Sequence, residues 1–249
     1  MLLKSLGGRF LRIVSYGATD TGRVRKENQD SYVVLKNPGN GSLLGVFDGV
    51  GGCDDGKKAS KIAVRVLEEL YISGELFRQT DIFALKKSMR RISLIIDKKI
   101  KEEAKRLGQK LSTTGSILYF YKDMYFISHV GDSRIYLYRD GSLFKLTKDH
   151  NLIENGVKTN VLTQVLGTGT DISPYVSFEN CFIRDRFLIC SDGLTNYLTE
   201  KNIMEIFERE PNIENALLTM IDQANQRGGS DNITGIIAAI DDDSVTIIN

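Results

Sequence analysis

Four aspartates carry most of the chemistry available to this chain: Asp48 in LLGVFDGVGG, Asp132 in FISHVGDSR, Asp192 in FLICSDGL and Asp231 in GGSDNIT. Each borders an apolar run and is followed by a small or amide residue. Carboxylate oxygens suit hard divalent cations such as magnesium and manganese. A glycine neighbour lets the backbone turn sharply and come close to an ion. Two carboxylates about 4 Å apart repel by roughly 4 kcal/mol at an effective dielectric of about 20. If these side chains converge, they must therefore be protonated or bound to cations, and cation binding then stabilises the fold by mass action.

A polar segment, Gly22-Arg23-Val24-Arg25-Lys26-Glu27-Asn28-Gln29-Asp30-Ser31, lies between two apolar runs. An arginine near a metal site can hold two phosphate oxygens in a fork. Taken by itself, the segment reads equally as a surface loop with solvated charges, and each aspartate motif as an ordinary strand-end turn.

The elements that must position these residues are legible from periodicity. Apolar residues three and four apart predict amphipathic helices over 57–72, 82–107 and 212–226, with a shorter one over 201–208. Strands are expected over 10–17, 30–36, 42–47, 113–121, 124–130, 133–139, 142–146, 174–183, 186–190 and 233–240. Lys122-Asp123 and Arg139-Asp140-Gly141 read as hairpin turns, which imply antiparallel pairing. The expected fold class is α+β: a four-layer α-β-β-α sandwich of two antiparallel sheets flanked by helix pairs, with the aspartates at one end. Residues 1–249 are expected to form a single domain.

Composition excludes several classes. The net charge is +1, which offers no long-range field for nucleic acid or an anionic membrane. The basic stretch over 86–110 reads as a solvated helix face. Three cysteines without CxxC spacing argue against a disulfide framework or zinc knuckle. Lys4, Arg9 and Arg12 interrupt the first apolar segment, so neither a signal peptide nor a membrane span is expected, and a cytoplasmic location is.

The series TDTGRVRKENQDS (19–31), FDGVGG (47–52), LSTTGSILYF (111–120), HVGDSRIYLYRDGSLFKLTKDH (129–150), QVLGT (164–168), LICSDGL (188–194) and GGSDNIT (228–234) resembles the metal-dependent protein serine/threonine phosphatases of type 2C in their bacterial form. The motifs stand in the family's order over about residues 15–240. The resemblance implies two manganese or magnesium ions. Asp48 would bridge them, the Gly49 carbonyl would ligate one, and Asp192 and Asp231 would complete the first shell. Asp30 would act through bound water. Asp132, with Asp192, would hold a weaker third ion, and Arg25 would grip the substrate phosphate. Asn232 and Ser191 would support this shell rather than ligate. It further implies hydrolysis of phosphoserine and phosphothreonine in proteins by a metal-activated bridging water, without a phosphoenzyme. A eukaryotic-type kinase is an implied counterpart and a monomer the implied state. Two alternatives remain at this level: a catalytically inactive member acting as a regulatory binding module, and a phosphatase specific for an anti-anti-sigma factor.

The chain departs from the family pattern in places. Cys53 stands where bacterial members usually have histidine, and its place beside the metal loop suggests either a redox-sensitive thiol or simply a small residue. Val50 replaces the histidine thought to be the general acid in animal members, which leaves the leaving-group proton to a metal-bound water. Gln29 replaces a common glutamate. The segment between His150 and Leu166 is expected to be a shortened flap. His150 is expected to make structural hydrogen bonds, and His129 to pack inside.

Overall fold

The computed structural model describes residues 11–37, 41–51, 54–78, 81–154 and 156–241. Gly52 and Cys53 lie outside them, and with them the reading of Cys53 as a reactive thiol.

The first half of the chain contains β1 (Arg12–Asp20), β2 (Ser31–Asn37), β3 (Gly41–Phe47), β4 (Gly49–Val50), α1 (Asp54–Ser73), α2 (Ile82–Leu107), β5 (Ser112–Thr113), β6 (Gly115–Tyr121) and β7 (Met124–Val130). The second half contains β8 (Arg134–Arg139), β9 (Ser142–Lys145), β10 (Asn151–Glu154), β11 (Val157–Leu162), β12 (Tyr175–Asn180) and β13 (Arg186–Cys190). It ends in α3 (Asp192–Thr195), α4 (Glu200–Arg209), α5 (Ile213–Gln226) and β14 (Ile233–Asp241).

Two five-stranded antiparallel sheets form the middle layers, in the orders β1-β14-β13-β8-β9 and β12-β7-β6-β3-β2. Alternate side chains of each strand serve different layers. Leu44, Val46, Leu118, Phe120, Ile127, Phe187, Ile189 and Ile236 fill the space between the sheets. Leu43, Phe47, Ile117, Tyr119 and Phe126 pack outward against Leu67, Met89, Ile92 and Ile96 of α1 and α2. On the far side, Leu188, Cys190 and Ile237 pack against Phe207, Leu217 and Met220 of α4 and α5. The central strands are covered on both faces, which is why they read as continuous apolar runs rather than alternating ones. The α-β-β-α sandwich expected from the sequence is the observed fold.

Caps and turns fix the elements locally. Asp81 caps α2 by accepting the Ala84 N–H at 3.0 Å, and Gly108, with φ 66°, ends it in the left-handed conformation. The β6–β7 turn places Lys122 at φ 54°, and the β8–β9 turn places Asp140 and Gly141 at φ 49° and 75°.

Several boundaries differ from those expected. The strand predicted over 113–121 breaks at Thr114, because Thr113 and Thr114 turn to donate hydrogen bonds to the Asp48 carbonyl, each at 2.8 Å. The strand predicted over 174–183 is shorter, Tyr175–Asn180. The first helix starts at Asp54 rather than near residue 57. The flap segment contains the hairpin of β10 and β11. A short helix, α3, follows Ser191.

Strand register carries the aspartates to one end. Cys190 sits opposite both Arg134 and Gly235, so Asp132, Asp192 and Asp231 all project past the same edge of one sheet. In the facing sheet Ser31 pairs with Phe47, and Val46 with Ser116 beside His129. Asp30 and Asp48 therefore leave that sheet at the corresponding edge.

Candidate metal and phosphate site

Each acidic side chain is fixed by backbone anchored elsewhere. Asp48 follows β3, and its N–H donates to Thr114 Oγ1 at 3.0 Å, while Thr114 Oγ1 and Ser133 Oγ lie 2.8 Å apart. The miniature β4–β5 pair, Gly49 opposite Thr113, prolongs this edge. Gly49 admits no side chain: a Cβ there would lie 2.5 Å from the Gly56 carbonyl group and 2.6 Å from the Gln29 carbonyl oxygen. The start of α1 is thereby pressed directly against the strand end that carries Asp48.

The 20–30 loop folds back over the residues before β14. Asn232 ties the two together. Its Nδ2 donates to the carbonyls of Thr21 and Glu27 at 2.8 and 3.0 Å, and its Oδ1 accepts the Gln29 N–H at 2.8 Å. Arg23 adds a backbone bond, its N–H donating to the Gly229 carbonyl at 2.8 Å. Arg25 is thus brought to Asp231, where Nη2 donates to Oδ2 at 2.8 Å.

Asp30 is buried at the base of the same loop. Ser191 Oγ donates to its Oδ2 at 2.8 Å, whereas its Oδ1 is buried with no hydrogen-bond partner. Asp192 opens α3, and Asn196 one turn later donates Nδ2 to its Oδ2 at 3.2 Å. Asp132 follows Gly131 in the β7–β8 turn. That turn is held by His150, whose Nδ1 accepts the Gly131 N–H at 3.1 Å and whose own N–H donates to the Gly131 carbonyl at 2.8 Å. Asn151 Nδ2 donates to Asp132 Oδ2 at 3.1 Å.

The two histidines differ in setting. His129 is fully buried, with Nδ1 2.9 Å from Ser116 Oγ and Nε2 3.2 Å from the Lys148 carbonyl. Burial, then the neighbouring His150, lowers its pKa to about 3, so it is neutral at physiological pH. A neutral ring facing a carbonyl donates from Nε2 and accepts the Ser116 hydroxyl proton on Nδ1. Neither histidine lines the cavity described next.

Arg25, Gln29, Asp48, Gly49, Asp132, Asp192 and Asp231 line one cavity of about 360 Å³, together with Asn160, Leu162, Asn196 and Ser230. Of the residues expected to act together, only Asp30 does not line it and stands behind, still close enough to act on Asp48 electrostatically. Burial, then the charges of Asp30, Asp192, Asp132 and Asp231, pushes Asp48 well above the usual carboxylate range. Burial, then Asp132 and Asp231, raises Asp192. Burial raises Asp30 to about 6, against the hydrogen bonds of Thr234 and Ser191.

Among the described residues, no three His, Cys, Asp or Glu side chains already surround a single point as a ligand set. Their oxygens instead face donors: Arg25 on Asp231, Asn151 on Asp132, Asn196 on Asp192 and Ser191 on Asp30. The residues nonetheless suit hard divalent cations. The side chains concerned offer oxygens, burial and then mutual repulsion hold Asp48 and Asp192 above the ordinary carboxylate pKa, and Asp30 Oδ1 is a buried acceptor without a donor.

Reasoning from the sequence did not single out Asn151, Asn160, Asn196 or Leu162. For Asn196 a signal existed, since it stands four residues after Asp192 on one helical turn. Asn160 and Leu162 reach the cavity, and Asn151 reaches Asp132, only through the hairpin, whose pattern gives no such signal.

Comparison with known proteins bears on the family and the fold. The family model described as Protein phosphatase 2C matches residues 22–230. The chain is 30% identical over 235 residues to the serine/threonine phosphatase stp of Listeria welshimeri, covering 88% of this chain and 92% of that protein. Its fold is similar to the S. agalactiae serine/threonine phosphatase, with a TM-score of 0.83 at 26% identity over 92% of this chain and 100% of that one. It is likewise similar to the catalytic domain of the serine/threonine protein phosphatase PstP in complex with two manganese ions, with a TM-score of 0.77 at 27% identity, covering 92% and 99% of the two chains.

Proposed function

Since this chain belongs to the protein phosphatase 2C family, we propose that it hydrolyses phosphoserine and phosphothreonine monoesters in proteins, with manganese or magnesium, as a single catalytic domain over residues 1–249. The observation that carries this reading is the shared cavity, where the Arg25 guanidinium meets carboxylates drawn from both sheets.

Asp48, the Gly49 carbonyl, Asp192 and Asp231 are the residues that would hold two cations, and Asp132 with Asp192 a weaker third. Bound there, such ions acidify water and offset the charge of a phosphoryl group. The remaining tasks fall to the protein. Arg25 carries parallel N–H donors that match two phosphate oxygens. Asp30, fixed by Ser191 behind the cavity lining, keeps one buried oxygen free to accept from water. Asn232 holds the 20–30 loop at the distance that puts Arg25 at the cavity mouth. Among the described residues no cysteine lines the cavity, and attack by water without a phosphoenzyme fits this lining.

Phosphorylated proteins are the proposed partners, a eukaryotic-type kinase among them. We place the protein in the cytoplasm as a monomer; no helix among the described residues is long and apolar enough to cross a membrane. The test is phosphopeptide hydrolysis with manganese, abolished by excess chelator and by Asp192→Asn. Hydrolysis that persists undiminished in chelator would overturn the metal mechanism, and tight manganese binding without hydrolysis of any phosphopeptide would favour a regulatory binding module.

A further inference from the structure

The hairpin of β10 and β11 buries little apolar surface, since Ile153, Val157 and Val161 are all exposed. Its position over the cavity depends on polar ties at its base. Thr163 donates its N–H and its hydroxyl to the His150 carbonyl at 2.8 and 3.0 Å, and His150 is bound to Gly131 as described. One tie reaches the site itself, from Asn151 Nδ2 to Asp132 Oδ2 at 3.1 Å.

The other end of that amide is unusual. Asn151 Oδ1 is buried and has no hydrogen-bond partner. A buried acceptor without a donor costs about 1–3 kcal/mol, and an amide oxygen is a good ligand for a hard cation. The present tie also suits only one condition of Asp132. A cation on Asp132 Oδ2 would face the Asn151 NH₂ group, which has no lone pair to offer. Turning the amide over exchanges donor for acceptor and places Oδ1 where Nδ2 now stands, beside the same carboxylate oxygen.

We propose that Asn151 supplies its amide oxygen to a cation held by Asp132 and Asp192, and so fixes the base of the hairpin to the metal site. The assignment rests on the functional reading above in taking Asp132 and Asp192 as ligands. It adds a ligand from the hairpin, at a position where the sequence offers no carboxylate.

The experiment is manganese titration by calorimetry on chelator-stripped wild type, Asp132→Asn, Asn151→Ala and Asn151→Asp, with amide hydrogen exchange across the hairpin on the same samples. Wild type should show a weaker class of manganese sites that Asp132→Asn removes. Asn151→Ala should weaken that class by roughly tenfold or more and leave the tighter class unchanged. Asn151→Asp should keep or strengthen it. Manganese should slow hairpin exchange in wild type and Asn151→Asp but not in Asn151→Ala. A tether with no ligand role gives the opposite: Asn151→Ala binds the weak class unchanged or more tightly, because Asp132 has lost a competing donor, and that result overturns the proposal. Should Asn151→Ala fail to fold, the wild type and Asn151→Asp decide, since hairpin exchange indifferent to manganese in both sinks it. Wild type that binds no manganese at all removes the phosphatase reading as well. Wild type that binds the tight class and hydrolyses phosphopeptide, yet lacks an Asp132-dependent class, removes only the Asn151 assignment.

Discussion

Arg25 and Asp231, 206 residues apart in sequence, meet in a 2.8 Å ion pair at the mouth of the carboxylate cavity. Both side chains are partly exposed, at 50% and 31%, so the pair adds little to stability, roughly 0–1 kcal/mol. Its importance lies in competition. On the proposed function, the guanidinium occupies an oxygen that a cation would take, and a cation at Asp231 would release the arginine donors toward a phosphate.

Arg25→Ala should therefore separate two constants. Manganese binding should be unchanged or tighter, because a competing cation has left Asp231. The KM for a phosphopeptide should rise, with kcat/KM falling roughly 10- to 150-fold, the equivalent of a charge-assisted hydrogen bond of about 1.5–3 kcal/mol. Arg25→Lys should recover only part of this, since an ammonium cannot offer the fork. Steady-state kinetics alongside calorimetry checks it, and an unaltered KM in Arg25→Ala would remove Arg25 from phosphate binding.

How much of this was legible depended on whether a feature is local. The runs ending in Asp48 and Asp192 announced themselves because their strands are buried on both faces, which demands unbroken apolar sequence, and a glycine follows each aspartate. The hairpin over Asn151–Leu162 did not, because Ile153, Val157 and Val161 face solvent and obey neither the strand nor the helix pattern. The break at Thr114 was equally hidden, since it is caused by hydrogen bonds to Asp48, 65 and 66 residues away. Ser191 and Asn232 act through partners brought together by register alone, and no spacing rule connects Ser191 with Asp30.

Asp192→Asn should lose function and gain stability in the same protein. Burial and the charges of Asp132 and Asp231 oppose ionisation of Asp192, so the neutral amide relieves repulsion and should raise the melting temperature in chelator at pH 7.5. Manganese at a hundred times its Kd adds about 2.7 kcal/mol to a protein that binds it only when folded, which is roughly 5–10 °C for a chain of this size. Wild type should show that rise and Asp192→Asn most of its loss, with hydrolysis abolished. Scanning calorimetry with and without manganese tests both arms, and a destabilised apo variant would contradict the mutual repulsion.

Asp30 makes a pH-dependent contribution of definite sign. Its folded pKa is raised to about 6, above the unfolded value of about 4. The folded state therefore binds this proton more tightly, and the resulting stabilisation is complete below pH ~4 and lost as pH rises through about 6. In Asp30→Asn the amide oxygen can still accept from Ser191, and there is no proton to lose. The melting temperature of chelated wild type should fall relative to Asp30→Asn between pH 4 and 7, then run parallel to it. A constant difference across that range would mean that Asp30 does not titrate as its surroundings dictate.

Gly193 and Gly169 offer a matched pair of substitutions. A Cβ at Gly193 would lie 2.0 Å from the Asn232 carbonyl oxygen, whereas one at Gly169 would meet nothing within 4 Å. The first contact is with backbone, so no side-chain rotation relieves it, and α3 or the Asp231-Asn232 segment must move. Either shift pulls Asp192 and Asp231 apart. Gly193→Ala should cost about 1–3 kcal/mol in stability and weaken manganese binding at the same time. Gly169→Ala lacks any steric obstacle and should be neutral or stabilising by up to about 1 kcal/mol, through reduced freedom of the unfolded chain. Chemical denaturation with manganese titration on both variants decides the matter. If Gly193→Ala were destabilised but bound manganese as the wild type does, the close approach of α3 to Asn232 would serve packing alone and not the spacing of the two carboxylates.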